Sequence, residues 1–441
     1  MLKRLIVLIL IILLLLLVGC TQQGAQIASI PSSACTSSSE LDSFKTSSEP
    51  APPTDGFPKS ILPSPKSSSN APDIAEVAER IYSSKEGMDF VMFAGSNAFL
   101  ERFNEPYGFY SYSIETREMK KIGDIEPVIA SSASMVIMQD KFLYYTDFVI
   151  KDGKELLRLI KVDLEGRLIT AIDTSDYNNK TDPLTYLTKL NENEFLLIGM
   201  ANDKSYIKRY DCRTNTGVEI ISETVTAAKN APNGYLGTVL SRMCVMDGEI
   251  YVIMLNLRED CVEYRIGVYD REGNKIRTIS SNAVSDIFDF NKDGFSPLGM
   301  YGIGGYLVLE NWNQQQAIYQ IDGDMLTEII PPNEDIRTIT SGLGNYYSIK
   351  NSRYIFFQRS LNSEKDKDNM LFALEVSTGE IKQAKIKLDE EYNIFTYGNI
   401  DEYGNLIIRV CKEISGSPGS VDYSNYELFY IKENDLPKIL Q

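Results

Sequence analysis

A strand–turn–strand pattern that recurs about every 50 residues is the strongest constraint on how this chain folds. In each copy, a run rich in alternating apolar and polar residues ends in a short polar turn, often with glycine, and a second such run follows. The last apolar residue before each turn lies 48 to 59 positions from the previous one, at Ile114, Val162, Tyr210, Tyr269, Ile321, Val376 and Ile431. Such a period is typical of repeat architectures, in which each unit packs against its neighbours.

A second polar turn lies between successive copies of this hairpin. It occurs at residues 94–98, 138–142, 190–195, 246–250, 302–306, 350–354 and 401–405, with an apolar run on each side. Two hairpins per period make four strands per period, which predicts an all-β fold, a β-propeller of seven four-stranded blades. Six or eight blades are the alternative counts. An elongated β-solenoid and two β-sandwiches are the alternative architectures.

A short helix is expected just before the first repeat, in "APDIAEVAERIY" (71–82). Ile74, Val77, Ala78 and Ile81 would share one helical face, and Pro72 suits the first turn. The predicted propeller domain therefore covers residues 74–441.

The N-terminus predicts export and anchoring. Lys3 and Arg4 precede 14 apolar residues, from Leu5 to Val18, which is short for a membrane-spanning helix of about 20 residues and typical of a signal peptide. Leu17-Val18-Gly19-Cys20 resembles the lipobox of bacterial lipoproteins. That resemblance implies cleavage after residue 19 and acylation of Cys20, for example with palmitate. An uncleaved signal anchor is the alternative.

Residues 20–73 are predicted to form a linker between this anchor and the domain. From Thr21 to Asp73 the chain has 14 Ser, 4 Thr and 8 Pro in 53 residues. A segment of this composition contains too few apolar residues to offset the conformational entropy lost on folding. A disordered tether of this length would reach roughly 40 Å. The lipobox, the tether and the degenerate repeats together resemble the β-propeller lipoproteins of Gram-positive bacteria. The sequence has none of the motifs of the WD, Kelch, sialidase or quinoprotein propellers.

Composition excludes several classes of function. The chain has no histidine, which removes Ser-His-Asp and Cys-His mechanisms and histidine-ligated zinc. Without Lys3 and Arg4 it has 42 basic and 61 acidic residues, a net charge of −19, which argues against binding nucleic acid. Beyond Cys20, five scattered cysteines remain, and we expect no structural disulfide among those of the domain, Cys212, Cys244, Cys261 and Cys411.

The longer loops of the predicted propeller should lie at one end of the ring, because B–C loops and D–A connections leave the same end of each sheet. They include 102–108, 256–261, 311–316 and 361–369 and the connections 222–237, 280–297 and 331–344. Trp312, the single tryptophan, lies in one of them beside Asn313 and Gln314. An aromatic ring among amides suits stacking on a sugar, so these three residues are the candidate binding residues. Simple packing of Trp312 on the blade edge is the alternative.

Residues 289–295, "DFNKDGF", match the first half of an EF-hand-type loop. Asp289, Asn291, Asp293 and the carbonyl of Phe295 would be the calcium ligands. The later positions depart from the pattern, since Pro297 and Met300 stand at positions 9 and 12. An ordinary Asn-Asp-Gly turn is the alternative.

Two classes of function remain open. The first is a membrane-anchored, extracytoplasmic binding or scaffold module for a protein, a peptide or a glycan. The second is a carboxylate-dependent glycosidase or lyase, which needs no histidine. The sequence favours the first, and it indicates no catalytic residue.

Replacing Cys20 with alanine or serine is predicted to release the protein from membranes or to leave it as an unprocessed precursor, because the sulfur that carries the lipid is lost. Detergent-phase partitioning and the mass of the N-terminal fragment measure this. A Cys20→Ser protein that is still fully lipidated would contradict the prediction.

Overall fold

The computed structural model describes Glu76 and, with gaps, the chain from Ala78 to Leu440. The longer gaps are 103–107, 123–135, 174–185, 225–233, 280–298, 339–352, 360–369, 386–393 and 415–420. Shorter gaps include 85–87, 259–261 and 311–314, and residues 1–75 also lie outside the described part.

The described strands form seven antiparallel sheets, here called blades 1 to 7, and the protein is an all-β β-propeller. Blade 1 consists of β2 (Met88–Ala94), β3 (Asn97–Arg102), β4 (Gly108–Ser113) and β5 (Met119–Lys121). Blade 2 consists of β6 (Val136–Gln139), β7 (Phe142–Lys151), β8 (Lys154–Asp163) and β9 (Leu168–Asp173). Blade 3 consists of β10 (Tyr186–Lys189), β11 (Glu194–Ala201), β12 (Lys204–Asp211) and β13 (Thr216–Thr224).

The other blades follow the same order of strands. Blade 4 consists of β14 (Tyr235–Met246), β15 (Glu249–Arg258), β16 (Val262–Tyr269) and β17 (Lys275–Ile279). Blade 5 consists of β18 (Gly299–Ile303), β19 (Tyr306–Glu310), β20 (Gln316–Asp322) and β21 (Met325–Asn333), and blade 6 of β22 (Ile336–Thr338), β23 (Tyr354–Arg359), β24 (Met370–Glu375) and β25 (Ile381–Lys385). Blade 7 contains β26 (Ile394–Phe395), β27 (Asn399–Ile400), β28 (Leu406–Glu413), β29 (Val421–Ile431) and the N-terminal strand β1 (Glu79–Ser83).

The repeat positions taken from the sequence fall where the pattern predicts. Val162, Tyr210, Tyr269 and Ile431 are buried near the ends of third strands, and a turn follows Tyr210 and Tyr269. In the turn after Tyr269, Asp270 Oδ1 accepts the backbone N–H groups of Glu272 and Asn274 at 3.0 and 2.8 Å. This carboxylate therefore satisfies the turn's own donors, which explains why a polar residue recurs there.

Closure of the ring differs from the sequence prediction in two ways. In the segment predicted as a helix, Glu76 is helical, but the strand β1 begins at Glu79. This strand pairs with β29 from Glu79 opposite Tyr430 to Ser83 opposite Glu427. Ile81 and Tyr82 are buried in this pairing. The fourth strand expected after Ile431 is absent from the described residues there, because Glu433–Lys438 form a 3-10 helix. The N-terminal strand takes its place as the outer strand of blade 7.

The sixth blade also departs from the prediction. The segment 331–344 is predicted as a connection between blades, but it contains the strand β22, in which Thr338 pairs with Phe357. The expected strand before the turn at 350–354 falls in residues that the structure does not describe.

Apolar side chains fill the spaces between neighbouring blades. Leu196, Ile207, Met243 and Val252 belong to one cluster between blades 3 and 4, and similar clusters join blades 4 and 5, blades 5 to 7, and blades 7 and 1. A bulge near Ser241 interrupts β14, and Ser205 Oγ of blade 3 accepts the freed N–H of Leu240 at 3.0 Å. Because both faces of these strands are covered, their sequences are nearly continuous apolar runs.

The A–B and C–D turns define one end of each blade, the turn end, where charged residues pair with each other. Arg271 of blade 4 contacts Glu194 of blade 3 at 2.5 Å, and Arg277 of blade 4 contacts Glu249 at 2.9 Å. Further pairs at this end join Arg353 and Lys382 to Glu375, Arg213 to Asp211, and Arg117 to Glu79. Several charged side chains of the turn end are thus paired with each other.

Within the described residues, no helix has the length and apolar character needed to cross a membrane.

Substitutions at two turn glycines of blade 4 allow the contact between blades 3 and 4 to be tested through its effect on stability. Both have positive φ, +88° for Gly273 and +81° for Gly248. A Cβ at Gly273 would lie 2.1 Å from the carbonyl oxygen of Ile220 in blade 3, whereas a Cβ at Gly248 meets nothing within 4 Å. Gly248→Ala should therefore lose about 1–2 kcal/mol from backbone conformation alone, and Gly273→Ala about 3 kcal/mol or more, because a backbone clash is added. Chemical denaturation measures both, and equal losses would refute the blade 3–blade 4 contact.

The carboxylate of Glu375 should make stability depend on pH. Hydrogen bonds from Lys382 and Arg353 lower its pKa from 4.5 to about 2. Stabilisation from a lowered pKa is complete above the unfolded value and disappears as the pH falls from about 4.5 to 2. Glu375→Gln should therefore reduce the free energy of unfolding by roughly 1–3 kcal/mol at pH 7, and this difference from the wild type should shrink as the pH falls through that range.

The exposed Glu380 of the same turn gives a matched control. Glu380→Gln should change the free energy of unfolding little at either pH. A Glu375→Gln defect that is equally large at pH 7 and near pH 2 would show that the lost stability does not come from the charge.

Candidate functional site

The loop end of blade 5 is the candidate functional site, because the two predicted site segments both adjoin it. Gly299, at the start of β18, pairs with Glu310, at the end of β19, and Glu310 pairs with Gln316, at the start of β20. These three residues thus form a row across the end of the sheet. Residues 311–315 connect Glu310 to Gln316, and residues 280–298 lead into Gly299.

Side chains on this row hold the Glu310 carboxylate in place. Its Oε2 accepts a hydrogen bond from the Tyr301 hydroxyl at 2.6 Å and another from Nε2 of Gln316 at 3.1 Å. Gln316 and Tyr301 are buried, whereas Glu310 is partly exposed. A Cβ on Gly299 would lie 2.5 Å from the Tyr301 hydroxyl oxygen, so the glycine leaves the space that this hydroxyl occupies.

The carboxylate of Glu310 differs from those of the turn end in having no cationic partner. Glu194, Glu249 and Glu375 each contact an arginine. No lysine or arginine of the described residues lies within 4 Å of Glu310, and no described donor bonds to its Oε1. Among the described residues, Oε2 of Glu310 therefore accepts two hydrogen bonds and Oε1 accepts none.

The binding residues predicted from the sequence, Trp312, Asn313 and Gln314, lie outside the described residues, so their role stays a prediction. The described residues on either side of this segment include Glu310, which carries a carboxylate, and Gln316, whose side-chain amide is buried. Sequence reasoning missed Glu310, Gln316 and Tyr301. The acidic residue that ends an otherwise apolar strand, "YLVLE", was the signal that could have indicated Glu310.

The calcium ligands predicted at Asp289, Asn291, Asp293 and Phe295 also lie outside the described residues. Met300, at position 12 of that loop, is a fully buried residue of β18 in the core between blades 4 and 5. Across the described parts of the chain, no group of three or more Cys, Asp or Glu side chains is placed to hold a metal ion. Calcium binding at 289–295 stays a prediction.

The structure describes three cysteines, and all three are buried. Cys212, Cys244 and Cys411 form no disulfide, while Cys261 and Cys20 lie outside the described residues. Burial raises the pKa of Cys212 to about 11 and that of Cys244 well above its usual range. Both groups therefore remain thiols at neutral pH, and neither is suited to act as a nucleophile.

Comparison with known proteins finds similarity of fold only. No family model matches the sequence, and no curated protein matches it. The structure resembles an oligogalacturonate lyase from Vibrio parahaemolyticus, with a TM-score of 0.47 and 11% identity over 81% of this chain and 94% of the lyase. It also resembles the β-propeller domain of the Trilobed protease from Pyrococcus furiosus, with a TM-score of 0.43 and 14% identity over 80% of this chain and 94% of that domain. The Dos1 propeller has a TM-score of 0.42 and 11% identity over 81% of this chain and 96% of its own.

Proposed function

We propose that this protein is a lipid-anchored, extracytoplasmic β-propeller that acts as a binding or scaffold module, with its ligand site at the loop end of blade 5. The ligand classes are a protein, a peptide or a glycan, and we favour a glycan. The membrane is the second partner, reached through the acylated Cys20.

The observation that carries the proposal is the difference between the two ends of the ring. At the turn end, the acidic groups of Glu194, Glu249 and Glu375 are neutralised by arginines. At the loop end of blade 5, Tyr301 and Gln316 both donate to Oε2 of Glu310, and no donor among the described residues binds its Oε1. A preorganised acceptor of this kind binds a ligand without first giving up an internal ion pair.

The position of the N-terminal strand supports the anchoring part of the proposal. β1 starts at Glu79, opposite Tyr430 and beside the end of β29. The segment that precedes β1 therefore reaches the ring at its turn end. A tether attached there lets the opposite end, with the candidate site, face away from the membrane.

The residue types around the site favour a sugar as the ligand. Sugar recognition combines an aromatic ring for stacking with fixed acceptors and donors for hydroxyl groups. The segment between Glu310 and Gln316 contains Trp312, Asn313, Gln314 and Gln315, which supply these groups in four consecutive positions.

The lone tryptophan allows a direct test with the full-length protein in detergent micelles. We expect the emission of Trp312 to change on titration with at least one member of a glycan panel: chitin oligosaccharides, chitosan oligosaccharides and soluble peptidoglycan fragments. Calorimetry should then show that Trp312→Ala weakens that binding about 3- to 10-fold, the range expected for a lost aromatic contact of roughly 0.5–1.5 kcal/mol.

Tyr403 gives the matched control, since it is an exposed aromatic residue at the turn end of blade 7. Tyr403→Ala should leave the affinity unchanged. No heat and no change in emission with any member of the panel would refute a glycan ligand. Release of shortened or unsaturated sugars during the titration would instead favour the enzymatic alternative.

A further inference from the structure

Three neighbouring blades each expose a large apolar side chain on their outer strand. Val218 of β13, Ile276 of β17 and Met325 of β21 are 53%, 48% and 63% exposed. Each lies within the first three residues of its strand, shortly after the C–D turn and therefore at the turn end. At the start of the same strand in blades 1 and 6, Met119 and Ile381 are instead packed against the core. The three exposed side chains of blades 3 to 5 are here called the apolar row.

Contacts between the blades show that the members of the apolar row follow one another along the rim. Nε of Arg277 in blade 4 lies 3.9 Å from Oδ1 of Asp324 in blade 5, and each partner is the sequence neighbour of a member of the row. A Cβ at Gly273 of blade 4 would lie 2.1 Å from the carbonyl oxygen of Ile220, two residues after the member in blade 3. One exposed apolar side chain is ordinary, whereas a series along adjoining blades indicates a contact surface.

Charged groups beside the apolar row are paired with each other. Lys204 contacts Glu219 at 2.5 Å in blade 3, and Arg277 contacts Glu249 at 2.9 Å in blade 4. An unpaired charge costs more to remove from water than a paired one, so this part of the surface can approach an apolar phase. The whole protein has a net charge of −17, which disfavours an anionic surface as the partner.

The end of the ring that carries the apolar row is also the end where the chain enters. Among the described residues, four of the six exposed large apolar side chains lie at the turn end, where Tyr403 accompanies the row. The other two, Tyr235 and Ile414, lie at the loop end. Strand β1 starts at the turn end with Glu79, and residues 1–75, which include the proposed anchor and tether, precede it.

We propose that the apolar row contacts the lipid bilayer that holds the anchor, with neutral headgroups as the preferred surface, an inference that rests on the proposed lipid anchoring. A stable interface between two proteins uses about 20–30 residues a side, far more than the row offers. A tethered domain needs less, because the anchor already confines it near the membrane and makes the contact intramolecular. Contact through the row turns the loop end of the ring, with the proposed ligand site, away from the bilayer.

Quenching of tryptophan emission by brominated lipids tests this contact in the full-length, lipidated protein. Each variant carries Trp312→Phe and one new tryptophan: Ile276→Trp or Met325→Trp in the row, or Ile414→Trp at the loop end as the matched control. The proteins are reconstituted at low density in vesicles of brominated phosphatidylcholine. The indole introduced at either position of the row should be quenched, and the one at the control position should keep its emission.

Removal of neighbouring apolar side chains should weaken the contact. With Val218→Trp as the reporter, Ile276→Ser together with Met325→Ser should lower the ratio of docked to undocked protein about tenfold, because two partly buried aliphatic side chains are lost. Tyr235→Ser with Ile414→Ser removes as many apolar side chains from the loop end and should leave the quenching unchanged. Added salt should change it little, since the contact is apolar.

The outcomes separate the contact from the anchoring. Row positions quenched no more than the control, in protein that floats with the vesicles, would overturn the contact and leave the anchoring standing. Protein that does not float because Cys20 carries no lipid would overturn the anchoring itself. A blue shift without quenching that grows with protein density would assign the row to a second copy of the chain and overturn the inference. Thiol reactivity equal to that of the wild type shows that a variant is folded, since Cys212 and Cys244 are buried.

Discussion

Hydrogen bonds between β1 and β29 connect residues that lie far apart in the chain, such as Arg80 and Glu427, 347 positions away. Every other blade is built from consecutive strands, whereas blade 7 is completed only when the N-terminal strand arrives. Burial of Ile81 and Tyr82 contributes about 1.5–3 kcal/mol for each side chain to that step. Neighbouring blades add fixed contacts: the Tyr112 hydroxyl donates to the carbonyl of Ile81, and that of Tyr426 to the carbonyl of Met88. Closure thus ties blades 7 and 1 together.

The contacts between blades explain why the two ends of the ring became different. The C–D turn of blade 4 lies close to blade 3, with Gly273 against Ile220, and Arg271 of this turn pairs with Glu194 across the gap. Pairing them internally avoids leaving half-buried charges without a partner. The B–C loops connect strands within one blade, so they do not have to join neighbouring blades. A fixed but uncompensated group such as Glu310 can therefore exist at the loop end with little effect on how the blades assemble.

Local sequence patterns predicted the repeating part of the fold and failed where a distant partner decides the structure. Alternation and turn residues were sufficient for positions such as Val162 and Tyr269, because the hairpin is a local unit. The helical spacing of Ile74, Val77, Ala78 and Ile81 competed with a strand that forms only against β29, and at Ile81 the tertiary pairing prevailed. For the site, the position of Trp312 among amide side chains predicted a binding role for its loop. The significance of Glu310 depends on Tyr301 and Gln316 lying beside it and on the absence of a described cation, and neither can be read from spacing in one strand.

The closing strand is also the first strand described after the proposed tether, so a force on the proposed lipid anchor would enter the ring at Glu79. Because the chain reaches β1 at the turn end and β1 runs antiparallel to β29, a pull away from that end acts along the strand. The hydrogen bonds of the ladder are then loaded together in shear, and the buried side chains of Ile81 and Tyr82 must move with them. A pull across the sheet would instead break the bonds one at a time. The position of β1 would therefore let one strand close the ring and carry the proposed anchor, while the proposed ligand site lies at the loop end of blade 5.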